Sequence, residues 1–120
     1  MSKQHIHIGV EEASEGYDRF IDAWHQAEAG KIDRPEIHLN FEDFETLASL
    51  LTPKRLELMK VLRQHGPFSI RALSKHLKRD YKNVHADVSA LENVGLIQRD
   101  ENELLVAPWD VIDAHVSLVA

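Results

Sequence analysis

The fold of this chain is decided by residues 51–110, which read LTPKRLELMKVLRQHGPFSIRALSKHLKRDYKNVHADVSALENVGLIQRDENELLVAPWD. Thr52 followed by Pro53 predicts the start of a helix, because threonine caps helix N-termini and proline suits the first helical position. Apolar residues then recur at helical spacing until Gly66 and Pro67 end the helix. The recurring residues are Leu56, Met59, Val61 and Leu62.

The same stretch predicts two more helices and a hairpin. Ser69 caps a short second helix, and a third helix follows the break at residues 78–80 and ends at Gly95. The inward residues of the third helix are Val84, Val88 and Leu91. Residues 96–99 and 104–106 predict two strands joined by a polar turn. Three helices followed by a hairpin predict a winged helix-turn-helix, an architecture that binds DNA.

The residues before this stretch predict a strand–helix–strand unit. Residues 5–10 and 36–41 alternate polar and apolar side chains, and residues 14–29 place their apolar side chains on one helix face. The two strands can lie parallel, with the helix as their crossover connection. Since two strands alone are marginally stable, they need a partner, either residues 114–120 or a second chain.

The predicted fold class is therefore α+β. Residues 1–50 form a small strand–helix–strand dimerisation segment, residues 51–113 the winged helix-turn-helix domain, and residues 114–120 a C-terminal strand or tail. We expect a homodimer, because winged helices usually read two half-sites and the apolar helix face exceeds what one small unit can cover. The residues expected at the dimer contact are Ile6, Ile8, Tyr17, Phe20, Ile21, Trp24, Ile37 and Leu39.

Charge is distributed unevenly along the chain. The formal net charge is −6, yet residues 52–100 carry ten Lys and Arg against five Asp and Glu. Residues 1–51 carry the opposite excess, with four basic and eleven acidic side chains. The basic block coincides with the predicted helix-turn-helix, and the local field, rather than the net charge, attracts phosphate. This coincidence favours a DNA-binding surface over an ordinary solvated surface.

The outward face of the third helix is the predicted reading surface. Recognition helices present the N-terminal part of such a face to the major groove. We expect Lys82 to donate to a guanine edge or a phosphate, and Asn83 to pair with adenine or bond a phosphate. The other candidates on or beside this face are Tyr81, His85, Ala86 and Ser89. The alternative for the whole set is a polar helix face exposed to solvent.

Cations that flank the third helix are predicted to contact phosphates, which position a domain without reading sequence. These cations are Arg71, Lys75, Lys78 and Arg79, together with Lys54 and Arg55 at the start of the first helix. In the hairpin Arg99, the one cation, is a further candidate for contact with DNA, although the carboxylates of Asp100, Glu101 and Glu103 repel phosphate. We therefore expect a short wing that contributes little to DNA binding.

Neither an enzyme nor a cofactor is predicted. The chain has no cysteine and eight histidines. His5 and His7 project from one face of a strand, a spacing that can hold a metal, but no HExxH motif is present. A structural or surface role is therefore favoured for these histidines, and no metal site is expected. No glycine-rich phosphate loop or nucleophile elbow is recognisable.

The expected location is the cytoplasm. No apolar run is long enough to span a bilayer, so no membrane partner is expected. The first residues, Met-Ser-Lys-Gln-His, lack the apolar stretch of a signal peptide.

From Leu51 onward the chain resembles a family of prokaryotic MarR-like winged-helix transcriptional regulators. The resemblance covers residues 36–120. The residues that carry it are LTPKRLEL (51–58), GPFSIRAL (66–73), RDYKNVH (79–85), LENVGLI (91–97), APWDVI (107–112) and the lead-in FEDFETL (41–47). The resemblance implies DNA binding by residues 79–94. Some members of the family resemble the antitoxins of toxin–antitoxin pairs, and for these a toxin partner is implied.

The sequence is compatible with three functions. The leading hypothesis is a sequence-specific regulator that binds double-stranded DNA as a homodimer. The second is an antitoxin that autoregulates its operon and covers the basic surface of a toxin with its acidic N-terminal segment. The third is a winged helix used only for protein–protein contact, which the negative net charge and the acidic wing favour. Salt-dependent binding to DNA separates the third function from the other two.

Overall fold

The structure, a computed structural model of one chain, describes residues 4–10, 37–116 and 118. Within these residues it is an α+β structure, as predicted. The predicted helix over residues 14–29, with Tyr17, Phe20, Ile21 and Trp24, lies outside the described residues. The elements, in chain order, are β1 (His5–Val10), β2 (Ile37–Phe41), α1 (Phe44–Leu50), α2 (Pro53–His65), α3 (Ile70–Leu77), α4 (Tyr81–Asn93), β3 (Gln98–Arg99), β4 (Leu105–Val106) and β5 (Val111–Val116).

Two compact units divide the chain. The described residues up to Leu47, together with those from Val111 onward, form the sheet unit, and residues 48–110 form the helical unit. The helical unit is therefore inserted between the second and third strands of the sheet unit. Residues 111–113, which the sequence assigned to the winged helix-turn-helix domain, pair with β1 and lie in the sheet unit.

The sheet unit is a parallel three-stranded sheet with β1 in the centre and β2 and β5 at its edges. The predicted parallel pairing of the first two strands is confirmed. The third strand comes from the end of the chain, one of the two expected sources, but it begins at Val111 rather than at residue 114. The backbone N–H of Val111 already donates to the carbonyl of Gln4, which starts the pairing there.

Side chains alternate between the two faces of this sheet. Ile6 and Ile8 of β1 lie on one face and are buried. His7 lies on the other face, opposite His38 of β2 and Asp113 of β5. The alternation of polar and apolar residues over residues 5–10 therefore gives the sheet one apolar face and one face rich in histidine.

The helical unit has one apolar core, to which α2, α3, α4 and the hairpin all contribute. The buried apolar residues of the helical unit are Leu50, Leu58, Met59, Leu62, Leu73, Val84, Val88, Leu91, Leu96, Ile97, Leu105, Ala107 and Trp109. Each of the three helices begins with a side-chain cap. Thr52, Ser69 and Asp80 accept from the backbone N–H groups of Arg55, Ala72 and Lys82 respectively. The expected helix starts are thus confirmed, because the capping signal is local in sequence.

A glycine ends α4 and turns the chain back into the core. The backbone N–H of Leu96 donates to the carbonyl of Leu91 (3.0 Å), and that of Gly95 donates to Glu92 (3.1 Å). This pair of bonds is a Schellman motif, and Gly95 has the left-handed φ of 87° that the motif requires. Behind it, the indole N–H of the buried Trp109 donates to the carbonyl of Leu96 at 3.0 Å. The residues after the hairpin are thereby fixed to the end of α4.

The hairpin is shorter than predicted. β3 and β4 pair antiparallel over two residues each. Strand pairing begins only at Gln98, because Leu96 and Ile97 are still bonded to the carbonyl of Leu91 and are buried in the core. Phe68 extends the sheet by exchanging both backbone hydrogen bonds with Leu105. Among the described residues, no helix has the length and apolar character that a membrane span requires.

Candidate nucleic-acid interface

A tight turn joins α3 to α4. Lys78 adopts a left-handed conformation (φ 56°, ψ 44°), which is uncommon for a residue with a side chain. Its backbone N–H donates to Lys75, and the next N–H, from Arg79, donates to Ser74 at 3.1 Å. These bonds satisfy the last carbonyls of α3 and redirect the chain within three residues. α3 and α4 therefore form the helix-turn-helix that the sequence predicts.

The two sides of α4 differ as predicted. Val84, Val88 and Leu91 are fully buried. On the opposite side Lys82, His85 and Ala86 are exposed and Ser89 is half-buried, while Asn83 is exposed on the flank of the helix. The Oγ of Ser89 lies 3.5 Å from the Nδ1 of His85, at the limit of a hydrogen bond. The first two turns of α4 thus present a polar surface without a protein covering among the described residues.

An aromatic contact links the start of α4 to α3. The guanidinium carbon of Arg71 lies 5.4 Å from the centre of the Tyr81 ring, within the range of a cation–π contact. Tyr81 is 44% exposed, and its ring also lies 6.0 Å from that of His85. The contact restricts the side chain of Arg71 without neutralising its charge. Arg71 is consequently held at the edge of the polar surface of α4.

Four cations remain exposed around this helix pair. Arg71 and Lys75 lie one turn apart on α3, Lys78 lies in the turn, and Lys82 lies in the first turn of α4. None of the four has an ion-pair partner among the residues that the structure describes. We refer to Arg71, Lys75, Lys78 and Lys82 as the basic surface. The carboxylate of Asp80 lies beside it, where it caps α4.

Arg79 differs from these four cations, although the sequence placed it among the phosphate contacts. Its Nη2 donates to Asp87 at 2.7 Å, and its side chain is only 21% exposed. The Nε of Arg55 donates to the other oxygen of the same carboxylate at 3.0 Å. The guanidinium of Arg79 is therefore bonded within the chain, which leaves less of it available to a phosphate.

Asp87 is the residue that the sequence reasoning missed. Burial by itself would raise the pKa of its carboxyl group, but the hydrogen bonds and charges of Arg79 and Arg55 outweigh burial and lower that pKa. Arg55 also donates to the carbonyls of Ser49 and Leu50, so the cluster joins the start of α2, the turn and α4. The signal available in the sequence was a carboxylate next to Val88, on the side of α4 that faces the core.

The charge of Arg99 in the hairpin is also neutralised. Its Nε and Nη2 donate to the two carboxylate oxygens of Glu92 at 2.8 and 3.4 Å. These hydrogen bonds raise the pKa of Arg99 above its ordinary value. At the tip, the carboxylate of Asp100 accepts from the backbone N–H groups of Asn102 and Leu104, which fixes the turn. The tip thus exposes Glu101 and Glu103 without a free cation beside them in the described structure.

The predicted dimer residues fall into three groups. Ile6 and Ile8 are 2% and 1% exposed within a single chain. Ile37, at the start of the edge strand β2, is 42% exposed, and Leu39 is half-buried. The four residues of the predicted N-terminal helix lie outside the described part of the chain. Of the described candidates, Ile37 is the one whose side chain is most accessible to a second chain.

Comparisons with known proteins place the chain in a family. The family described as HVO_A0114 matches residues 50–114, which is more than half of the chain. No curated protein matches the sequence. A solved structure, the multiple antibiotic-resistance repressor (MarR) from Listeria monocytogenes 4b F2365, is similar with a TM-score of 0.45 and 21% sequence identity. That similarity covers 80% of this chain and 64% of the repressor. On the family match, the chain belongs to the HVO_A0114 family.

Proposed function

We propose that this protein is a transcriptional regulator that binds specific sites on double-stranded DNA as a homodimer. The observation that carries the proposal is the basic surface around α4, whose four cations are exposed and have no ion-pair partner in the described residues. A helix that reads the major groove needs an exposed polar face at its N-terminus and cations beside it for the phosphates. The first two turns of α4 and the basic surface meet both requirements.

The proposed contacts divide into two classes. Lys82 and Asn83 read base edges, since lysine donates to guanine and asparagine pairs with adenine. His85, Ala86 and Ser89 lie further along the same side of α4 and add weaker contacts to the bases. Arg71, Lys75, Lys78 and the hydroxyl of Tyr81 bond phosphates, which orients α4 without selecting a sequence.

Arg79 and Arg99 take different roles in this proposal. Arg79 holds the turn against α4 through Asp87 and so positions the reading helix. Arg99 is bonded to Glu92, so the wing offers phosphate no free cation, and its acidic tip stays clear of the DNA. DNA binding therefore depends on the helix-turn-helix and only slightly on the wing.

The test is a binding titration of the full chain with DNA from upstream of its own gene, followed by fluorescence anisotropy. A shuffled fragment of equal length and composition is the reference, and the salt concentration is varied. We expect tighter binding to the upstream fragment and a logarithmic affinity that falls linearly with the logarithm of salt concentration. If neither fragment showed salt-dependent binding, the result would contradict DNA binding and favour a winged helix that contacts only proteins.

A matched pair of variants connects that titration to the basic surface. Lys75→Ala removes an exposed cation from the proposed interface, whereas Lys60→Ala removes a lysine of α2 that is also exposed. We expect Lys75→Ala to weaken binding and Lys60→Ala to leave it near the wild-type value. Equal losses in the two variants would mean that binding follows the overall charge rather than this surface.

A further inference from the structure

The polar face of the three-stranded sheet gathers histidines from separate parts of the chain. The register places His7 of β1 between His38 of β2 and Asp113 of β5. His5 lies two residues before His7 and therefore on the same face. The rings of His7 and His38 stack at 5.2 Å, and those of His5 and His7 at 6.1 Å. Three imidazoles and a carboxylate thus share one small area.

The nitrogen atoms of two of these histidines converge on the carboxylate. The Nδ1 of His5 lies 3.0 Å from the Oδ2 of Asp113, and the Nδ1 of His7 lies 3.6 Å from the same oxygen. One ligand atom from each of these three residues can be chosen so that all lie within 4.8 Å of one another. A tetrahedral zinc ion with bonds of about 2.0–2.2 Å holds its ligand atoms roughly 3.3–3.5 Å apart. The distances from Asp113 Oδ2 to the two histidine nitrogens, 3.0 and 3.6 Å, lie just below and just above that range.

We propose that His5, His7 and Asp113 bind a divalent transition-metal ion such as Zn²⁺ on the polar face of the sheet. Imidazole nitrogen suits zinc, copper and nickel, whereas calcium and magnesium prefer sites made entirely of oxygen. Two imidazoles and one carboxylate supply three ligands, and a water molecule takes the fourth position. This assignment reverses the expectation from sequence, which had no means of placing Asp113 beside the histidines.

The proposed ligands are accessible to an ion from solvent. The side chains of His5, His7 and Asp113 are 41%, 28% and 48% exposed. The ligands come from the first and the third strands of the sheet, which are separated by most of the sequence. Because this set of ligands is assembled only in the folded chain, the ion would join β1 to β5 and stabilise the sheet. The ion needs neutral imidazoles, so acid opposes its binding.

The test is isothermal titration of the chelator-treated full chain with ZnCl₂ at pH 7.5, accompanied by thermal melting. We expect one saturable site per chain and a melting temperature that rises with added zinc. Asp113→Asn and His7→Asn are each expected to lower the affinity at least about tenfold, since even residues behind the metal ligands typically contribute that much. Lowering the pH to 5.5 is expected to weaken binding in the wild type.

His115→Asn is the matched control. His115 lies on β5, two residues beyond Asp113 and on the same face, but outside the three proposed ligands. We expect this variant to keep the wild-type affinity for zinc. A loss as large as that of His7→Asn would show diffuse binding by a histidine-rich face and would overturn the proposed site.

Two further outcomes would also overturn the site. One is the absence of saturable zinc binding by the wild type. The other is unchanged affinity in both Asp113→Asn and His7→Asn, with circular dichroism showing the wild-type fold. Asp113→Asn keeps the size and shape of the side chain, so it separates loss of a ligand from loss of the sheet.

Discussion

Asp87 links α4 to the start of α2 and to the turn before α4. Its side chain is 16% exposed and binds two guanidinium groups, one from the start of α2 and one from the turn before α4. Removal of this carboxylate leaves two positive charges close together and largely out of solvent. Such a change costs more than the loss of a surface ion pair, because the remaining charges are desolvated without a partner.

We expect Asp87→Asn to lower the free energy of unfolding at pH 7 by about 2 kcal/mol, between the values typical of surface and fully buried pairs. Glu57→Gln is the control, because this exposed carboxylate of α2 forms no ion pair with another described residue. We expect that change to cost less than about 0.5 kcal/mol. Urea unfolding of the wild type and the two variants measures both changes in the free energy of unfolding. Equal changes in the two variants would contradict the role given to Asp87.

The pH dependence of this difference has a definite sign. The pKa of Asp87 in the folded chain is lowered from the ordinary value of 3.8. The stability that the charged group adds is therefore fully present above that ordinary value and is lost as the pH falls through the lower folded pKa. We expect wild type and Asp87→Asn to converge in stability below pH 3.8, and a difference that vanished between pH 6 and 8 would point to another group.

At the scale of the elements, the sequence predicted what is local. Thr52 and Ser69 cap helices within three residues, and Gly95 ends α4 through bonds to residues just before it. These features need no knowledge of the rest of the chain. The prediction of the inward residues of α4 was also correct, because the spacing of apolar residues alone defines the buried face of a helix.

The features that the sequence did not reveal depend on contacts between distant residues. Arg55 and Asp87 are 32 positions apart, and His5 and Asp113 are 108 apart. The start of β5 at Val111 depends on pairing with Gln4 and β1, so no local signal marks it. The position of Arg79 in the turn before α4 predicts a phosphate contact, whereas its partner in the structure is the carboxylate of Asp87. Side-chain pairing of this kind requires the fold.

α3 carries two of the proposed phosphate contacts. We expect Arg71→Ala and Lys75→Ala each to weaken binding to the upstream and the shuffled fragments by similar factors. Each change should also flatten the salt dependence by about one unit of slope, because one fewer counterion is released per lost phosphate contact. Anisotropy titrations at four or more salt concentrations give the slopes. A changed sequence preference at an unchanged slope would assign these residues to base edges instead.

At the scale of the whole molecule, charge and accessible apolar surface are distributed differently along the chain. Residues 52–100 carry the positive excess, while residues 1–51 are strongly acidic. The edge strand β2 exposes Ile37, and a sheet edge also offers unpaired backbone groups to another chain. These observations favour self-association through the sheet unit.

We expect the protein to be a homodimer at a concentration of about 10 µM, as measured by light scattering, for a dissociation constant of about 1 µM or below. Ile37→Asp should shift it toward the monomer, because a carboxylate replaces an apolar side chain at the proposed contact. Val116→Asp, at the end of the other edge strand, changes an equally exposed residue and serves as control. A monomeric wild type at that concentration, or equal effects of the two variants, would contradict the proposed dimer contact.

We propose above all that α4 reads DNA sequence through the start of its outward face. The measurement that tests it most directly is a titration of Lys82→Ala and Asn83→Ala on the preferred and the shuffled DNA, with circular dichroism as the check on folding. Each variant should lose about 1–3 kcal/mol of binding free energy on the preferred site and much less on the shuffled fragment. Equal losses on the two fragments, or no loss on either, would contradict base reading by this helix.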